Sequence, residues 1–226
     1  MWIDDQILKN CSRDIETQVF IPKETLLVLG NGNDAEKEAH LEHCKQDGVS
    51  VLKRYGGGGA VVLHTGCLVV SAGLWVKDYF RNDFYFCQLN KALIAALASF
   101  HPSLSFVYQD GISDLCYEGK KIAGTSLFRS RNYLLYQASI LYNSKIELIE
   151  RYLKHPTKEP EYRQKKSHRD FIKGLFEILQ GGSLEELRDS TAKYFPKNIY
   201  EKLSDELIQS QENQRAHLFG KSGVVI

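Results

Sequence analysis

The sequence predicts an α+β domain whose mixed, largely antiparallel sheet packs with helices, and three observations carry that expectation. Short apolar, often β-branched runs closed by glycine or asparagine recur within residues 24–76, on either side of a charged segment at 34–48, and again within 104–142. One long segment between them, residues 82–100, changes to a helical period. After Tyr142 the chain turns helical. Strands and helices kept in separate stretches, rather than strictly alternating, mark the α+β class.

Taken in order, residues 1–10 suggest a short helix with Trp2, Ile3, Ile7 and Leu8 on one side. "ETLLVLGNG" (24–32) reads as a buried strand, and "DAEKEAHLEHCKQDG" (34–48) as one charged surface helix closed by Gly48. "VSVLKRY", "AVVLH" and "CLVVSAGLWV" are strand-like around four consecutive glycines. Phe84, Leu89, Ala92, Leu93, Ala96, Leu97 and Phe100 recur at helical spacing until His101-Pro102 ends the pattern. "LSFVYQ", "DLCYE", "KIAGTSLFR" and "YLLYQASILY", with tight turns at "EGK" and "SRN", predict an antiparallel meander. "SKIE" (144–147) and "SLEE" (183–186) have capping-box spacing, and Ser167 is placed to cap "SHRDFIKGLFEILQGG". Residues 198–218 are expected to form the last helix. The expectation is one domain, residues 1–226, helical from about 144 to 218 and without a separate accessory domain.

The 29 basic and 28 acidic residues leave a formal charge of +1, which argues against a dedicated nucleic-acid binder and its strongly basic face. Five cysteines, odd in number and irregular in spacing, read as reduced thiols. The N-terminus lacks the basic start and apolar stretch of a secretion signal, and no apolar run approaches the ~20 residues that span a bilayer. A cytoplasmic protein with no nucleic-acid and no membrane partner is expected. His40, His43 and Cys44 have helix spacing for a metal, although three surface residues reach that pattern by coincidence more often.

Gly56, Gly57, Gly58 and Gly59 stand between two strand-like runs. One or two glycines suffice for a sharp turn, whereas four suggest that something approaches the backbone closely. A row of unobstructed N–H groups can cradle a phosphate or carboxylate, with Lys53 and Arg54 adding positive charge. An elaborate turn is the alternative. The loop is neither a Walker nor a dinucleotide motif, because both open a helix and residues 60–63 here continue as strand.

"KRYGGGGAVVLHTGCLVVS" resembles the glycine-rich loop of the lipoate–protein ligase family, Arg-Arg-x-Ser-Gly-Gly-Gly-x-Val-x-His-Asp-x-Gly-Asn. "DGISDLCYEGKKIAGTS" (110–126) is similar to that family's Asn-Asp…Gly-x-Lys-Ile-x-Gly-x-Ala segment, in the same order and at a matching separation. The resemblance implies the biotin/lipoate ligase type of α+β fold. It also implies attachment of lipoate or octanoate to a lysine of lipoyl-domain proteins, such as 2-oxoacid dehydrogenase E2 subunits or the glycine cleavage H protein. In a ligase, ATP and Mg²⁺ would first convert the acid to an acyl-adenylate.

On that resemblance Lys121 matches the central catalytic lysine, which holds carboxyl or adenylate oxygens. Arg54, Tyr55, Gly56, Gly57, Gly58, Gly59, Ala60, His64, Cys67, Gly124 and Thr125 would contact the acyl substrate. Lys53, Arg54, Ser113, Asp114 and Lys121 would contact the nucleotide, with Asp114 a ligand for Mg²⁺. Joining two anions calls for such cations and N–H donors. "PEYRQKKSHRDF" (160–171) is basic, reading either as a contact for nucleotide or an acidic lipoyl domain, or as a solvated loop.

Several positions depart from the family pattern. Lys53 stands for an arginine, Gly56 for the loop serine, Thr65 for the aspartate after His64, Cys67 for an asparagine, Ser113 for the asparagine before Asp114, and "QAS" (137–139) for His-Gly-Thr. These departures keep two alternatives open: an ATP-independent octanoyl or lipoyl transferase, and a non-catalytic acyl-binding protein. Transferases of the superfamily use a thiol downstream of the lysine, yet Cys11, Cys44, Cys67, Cys87 and Cys116 all precede Lys121. The ligase reading is therefore preferred, with an accessory subunit as a further candidate partner. A biotin ligase would need loop arginines that are absent here.

Overall fold

The computed structural model describes residues 7–8, 15–78, 80–179 and 181–207. The helix expected over residues 1–10, Ile7 and Leu8 excepted, and the part of the last helix expected beyond residue 207 lie outside the described residues. Among the described residues nine strands form two sheets. The main sheet is antiparallel in the order β1 (Ile15–Phe20), β5 (Cys67–Trp75), β9 (Tyr133–Leu141), β8 (Lys120–Ser130), β7 (Asp114–Tyr117) and β6 (Tyr108–Asp110). The small sheet places β2 (Leu26–Leu29) between β3 (Ser50–Lys53), parallel, and β4 (Val61–Leu63), antiparallel.

Every residue of β5 is buried because both of its faces are covered. Leu68, Val70, Ala72 and Leu74 meet the helical layer, made chiefly by α3 (Asn82–Phe100) and α6 (Leu184–Leu203). On the opposite face Val69 packs with Val28 and Leu63, and Trp75 packs with Ile7, Leu8 and Tyr133. Strand β9 alternates in the same way: Leu134, Tyr136, Ala138 and Ile140 join the helix-facing core, while Gln137 and Ser139 line the space beneath the small sheet. Tyr136 satisfies its buried hydroxyl by donating to Asn90 Oδ1 of α3 at 2.7 Å.

The meander forms as expected, with Glu118 and Gly119 (φ 49° and 75°) turning "EGK" and Arg131 (φ 53°) turning "SRN". Other segments differ for identifiable reasons. The single helix expected over residues 34–48 is two short ones, α1 (Ala35–Glu38) and α2 (Leu41–Gln46). Between them Ala39 bridges to Leu153 and the His40 amide donates to Tyr152 O, so pairing with the chain after α4 (Ile146–Tyr152) replaces helical bonds. The two pieces still serve as the crossover that a parallel β2–β3 pair requires.

The strand expected at residues 104–109 begins as a 3₁₀ turn, Pro102–Phe106, capped by His101 Nδ1. The "SKIE" box does not form, because Lys145 (φ 37°) takes the cap position of α4 without a side-chain bond. Ser167 does cap a helix, but α5 (His168–Phe171) lasts one turn before residues 172–173 pair with Lys121. Ser183 makes the expected capping box, and α6 runs from there through Pro196 to Leu203, earlier than the helix expected from residue 198. Among the described residues no helix is long and apolar enough to cross a membrane.

The β4–β5 turn holds His64 fully buried, its Nδ1 accepting from the Gly66 amide at 3.0 Å. Burial, with the Lys145 charge adding to it and the Ser144 backbone opposing it, holds the imidazole down to about 4. The unfolded chain binds this proton at about pH 6.5 and the native one does not until about pH 4. Stability is therefore complete above pH 6.5 and falls as pH drops through that window, by ~3 kcal/mol at most from this group. His40 and His168, also lowered by burial, act in the same direction. Urea midpoints compared at pH 7 and pH 5 should fall for the native chain and fall less for His64→Asn.

A Cβ on Gly73 of β5 would overlap the hydroxyl of Tyr133, whose ring is buried edge-on against Trp75 at 5.2 Å and has no room to yield. Gly73→Ala should cost ~1–3 kcal/mol of unfolding free energy, measured by urea denaturation.

Candidate active site

Lys121, the second residue of β8, lies on the edge of a groove, and its position depends on a missing side chain. Asp114 lies directly opposite Gly124 in the β7–β8 register, and a bulge at Leu115 and Cys116 shifts the pairing so that Lys121 faces Cys116. The lysine side chain lies back over Gly124, where an added Cβ would stand 3.3 Å from its Cε and Nζ. It reaches Asp114 Oδ1 at 2.7 Å, with the lysine side chain 26% and the aspartate 8% exposed. The backbone beneath is tied on both sides: Lys173 N donates to Lys121 O, and Thr125 donates through N and Oγ1 to Ser113 O at 2.7 and 2.8 Å.

Two cavities meet at this ion pair. The first, an apolar slot, runs between the sheets. Val28, Val61, Leu63 and Val69 supply its apolar walls, and Gly124, Ser126, Gln137 and Ser139 form a floor of small and polar groups on β8 and β9. The second is a wider chamber, open to solvent, between residues 32–38, the turn at 110–113 and residues 156–164. Gly58, Gly59, Ser113, Asp114 and Lys121 line both. An apolar recess ending on a few convergent polar groups is the usual form of a small-molecule site.

The four glycines do different things. Gly56 lies under Ser126, where a Cβ would come within 2.7 Å of the hydroxyl oxygen. Gly58 has φ 91°, a conformation that disfavours side chains, and its carbonyl would stand 2.1 Å from a Cβ on Gly30, which leaves Gly30 no space for one. Gly57 and Gly59 have open space where a Cβ would stand. Among the described residues the amides of Gly57, Gly58 and Gly59 donate no hydrogen bond, which leaves them available to an anion. Arg54 straps the loop from within, Nη2 donating to the carbonyls of Gly57 and Gly59 at 2.6 and 2.8 Å. Arg54 was expected to meet phosphate; in this structure its Nη2 faces the loop's carbonyl oxygens.

Of the residues expected in the site, Arg54, Gly57, Gly58, Gly59, Ala60, Ser113, Asp114, Lys121, Gly124 and Thr125 line a cavity. Lys53, Tyr55, Gly56, His64 and Cys67 line neither of the two. Tyr55 packs against Phe128 at 5.2 Å, and Cys67 is fully buried with its thiol on Val62 O. Burial pushes the Cys67 and Cys116 thiols up to about 11, and among the described residues no cysteine lines either cavity. The sequence reading missed the apolar walls and Tyr162, whose hydroxyl donates to Asp114 Oδ2 at 2.6 Å. An aromatic within the basic segment 160–171 was the available signal. That segment is not simply a basic surface, since Arg163 is buried against Glu159 and Phe171.

Both oxygens of Asp114 are therefore taken by donors. Among the described residues no three His, Cys, Asp or Glu side chains converge to hold a metal, at His40, His43 and Cys44 or elsewhere. With both oxygens engaged, Asp114 would have to give up Lys121 or Tyr162 to serve as the Mg²⁺ ligand expected there.

Comparison with known proteins gives this geometry a family. A model described as the lipoyl protein ligase A/B catalytic domain matches residues 1–196. The lipoate-protein ligase LplJ of Bacillus subtilis is 22% identical over 177 residues, 78% of this chain and 52% of that protein, so the chain spans about half the length of that relative. A chain from the bi-partite lipoate protein ligase of Thermoplasma acidophilum, described together with its E2 lipoyl domain, matches with a TM-score of 0.71 at 21% identity over 98% of this chain and 92% of that one. A lipoate-protein ligase A bound with ATP matches with a TM-score of 0.67 at 18% identity over 95% and 92% of the two chains. At these identities the structural likeness shows the shared fold, while the family model covers most of the sequence. The chain belongs to the lipoyl protein ligase A/B catalytic-domain family.

Proposed function

We propose that this chain activates lipoate or octanoate with ATP as an acyl-adenylate and passes the acyl group to a lysine of a lipoyl domain. The observation that carries the proposal is the position of Lys121, with its ammonium at the junction of an apolar slot and a polar chamber. An acyl chain in the slot brings its carboxylate to that junction, within reach of the Lys121 ammonium, whose N–H donors can then be drawn from Asp114 toward it. One carboxylate oxygen attacks the α-phosphorus and pyrophosphate leaves. The acceptor amine then attacks the acyl carbon, AMP leaves, and the amine gives up a proton. Lys121 and the open amides of residues 57–59 would stabilise the charge on the reacting oxygens in both steps.

The ATP-bound relative of the same fold supports nucleotide use, and the bi-partite Thermoplasma relative supports lipoyl-domain acceptors and an accessory subunit. The absence of a cysteine from both cavities, among the described residues, weighs against a thioester acyl-enzyme. One observation favours a second reading. Six carboxylates line the polar chamber (Asp34, Glu38, Asp110, Asp114, Glu159 and Glu161) against four cations (Lys37, Lys121, Lys158 and Arg163), an unfavourable field for a triphosphate. Direct transfer from an acyl-carrier thioester, without ATP, would avoid that anion.

An apo lipoyl domain incubated with the chain, octanoate or lipoate and Mg-ATP should gain the acyl mass. A parallel sample holding octanoyl-carrier protein without ATP should not. Gain from the carrier alone would replace ligation with transfer, and binding of the acid without gain in either sample, with an accessory subunit present, would favour an acyl-binding protein. Lys121→Ala should lower the rate by ~10²–10³-fold, the usual cost of losing an oxyanion donor. Gly59→Val should leave the melting temperature unchanged yet weaken octanoate binding at least ~10-fold in calorimetry, because its side chain enters free space beside both cavities.

A further inference from the structure

We infer that Tyr162 is a positioning residue, whose hydroxyl holds the second oxygen of Asp114 so that Lys121 can turn from Asp114 toward a substrate carboxylate. The inference rests on the role proposed above for Lys121. Asp114 is almost wholly buried, with Lys121 Nζ on Oδ1 at 2.7 Å and Tyr162 OH on Oδ2 at 2.6 Å. If the ammonium were its one donor, every movement of Lys121 toward substrate would strand a buried carboxylate, a costly state. The phenol supplies a second, neutral donor that stays in place while the lysine exchanges partners.

The direction of the Tyr162 bond is set by its other neighbour. Cys116 Sγ donates to the phenol oxygen at 3.5 Å, which commits the tyrosine hydrogen to Asp114. Burial keeps that thiol protonated and hence a donor. Tyr162 is also held by its own segment. It sits in the 3₁₀ turn Glu161–Arg163, followed by two non-glycine left-handed residues, Gln164 (φ 52°) and Lys165 (φ 58°). Such a backbone persists only where its surroundings enforce it. Here buried Arg163 does so, with Nε on Lys166 O at 3.2 Å, an ion pair to Glu159 at 3.4 Å and its guanidinium 4.6 Å from the Phe171 ring centre. The Tyr162 ring packs on the same Phe171 at 5.2 Å.

The test is Tyr162→Phe, which keeps the ring packing and removes only the hydroxyl. Lys121 is labelled at one fixed pH with a small amine reagent and its modification read by peptide mass spectrometry, with exposed Lys91 as internal reference. Without the phenol donor the Asp114 charge rests on the ammonium alone and holds it more tightly in place, so labelling should drop about three- to tenfold. In an Asp114→Asn background the same change should have no further effect, because Tyr162 acts through Asp114. Acyl transfer by Tyr162→Phe should lose turnover with little change in KM for the acid. Unchanged Lys121 labelling would overturn the inference. So would an equal drop in the native and Asp114→Asn backgrounds, which marks a packing effect, or altered labelling with native turnover. Labelling needs no acyl substrate, so it stands or falls separately from the proposed reaction.

Discussion

A carboxylate and an ammonium group meet at 2.7 Å between the two sheets, and most local irregularities of the site follow from accommodating them. Removing both charges from water costs more than an ordinary surface pair returns, so such a contact is a poor device for stability alone. The chain surrounds it with specific support. Gly124 leaves the groove that the lysine crosses, the bulge at Leu115 and Cys116 sets the register, and Thr125 and Lys173 fix the backbone on either side. Tyr162 arrives from 48 residues downstream to occupy the remaining oxygen of Asp114.

The same pair explains why the main sheet is asymmetric. Its helix-facing side is uniformly apolar, from Leu68 on β5 to Ile140 on β9. Its other side changes character along β9, from Tyr133 and Leu135 in a packed cluster to Gln137 and Ser139 in the slot. Large side chains at those two positions and at Gly124 and Ser126 would fill the space between the sheets. Small and polar residues there sacrifice core packing and leave room for a ligand, while Val28, Leu63 and Val69 keep the facing wall apolar.

Much of this was legible in the sequence because it is local. Period-2 runs gave the meander, period 3.6 gave α3 with its correct ends, and the glycine and Lys121 blocks gave the family. What was not legible depends on distant partners. Residues 34–48 have helical composition, yet backbone pairing of Ala39 and His40 with residues 152–153 breaks the helix. His64 and Cys67 share the glycine block in sequence but belong to the turn behind it, since β4 carries them away from the slot into the buried start of β5. Four adjacent glycines looked alike, and only their surroundings separate Gly56 and Gly58, which pack, from Gly57 and Gly59, which face open space.

The two cavities also differ in what they ask of a ligand. The slot needs only an apolar chain ending in an anion, and its walls and Lys121 already match that. The chamber presents more carboxylates than cations, and several are engaged internally: Glu38 by Thr157, Glu159 by Arg163 and Asp114 by Lys121. Electrostatics thus set a stronger condition on the second substrate than on the first. A nucleotide would have to bring its own counter-charge or draw Lys37 and Lys158 inward, whereas a thioester or an acceptor lysine meets no such opposition. In the proposed reaction a protonated acceptor lysine would be drawn toward these carboxylates, which favours the chamber as the acceptor's side.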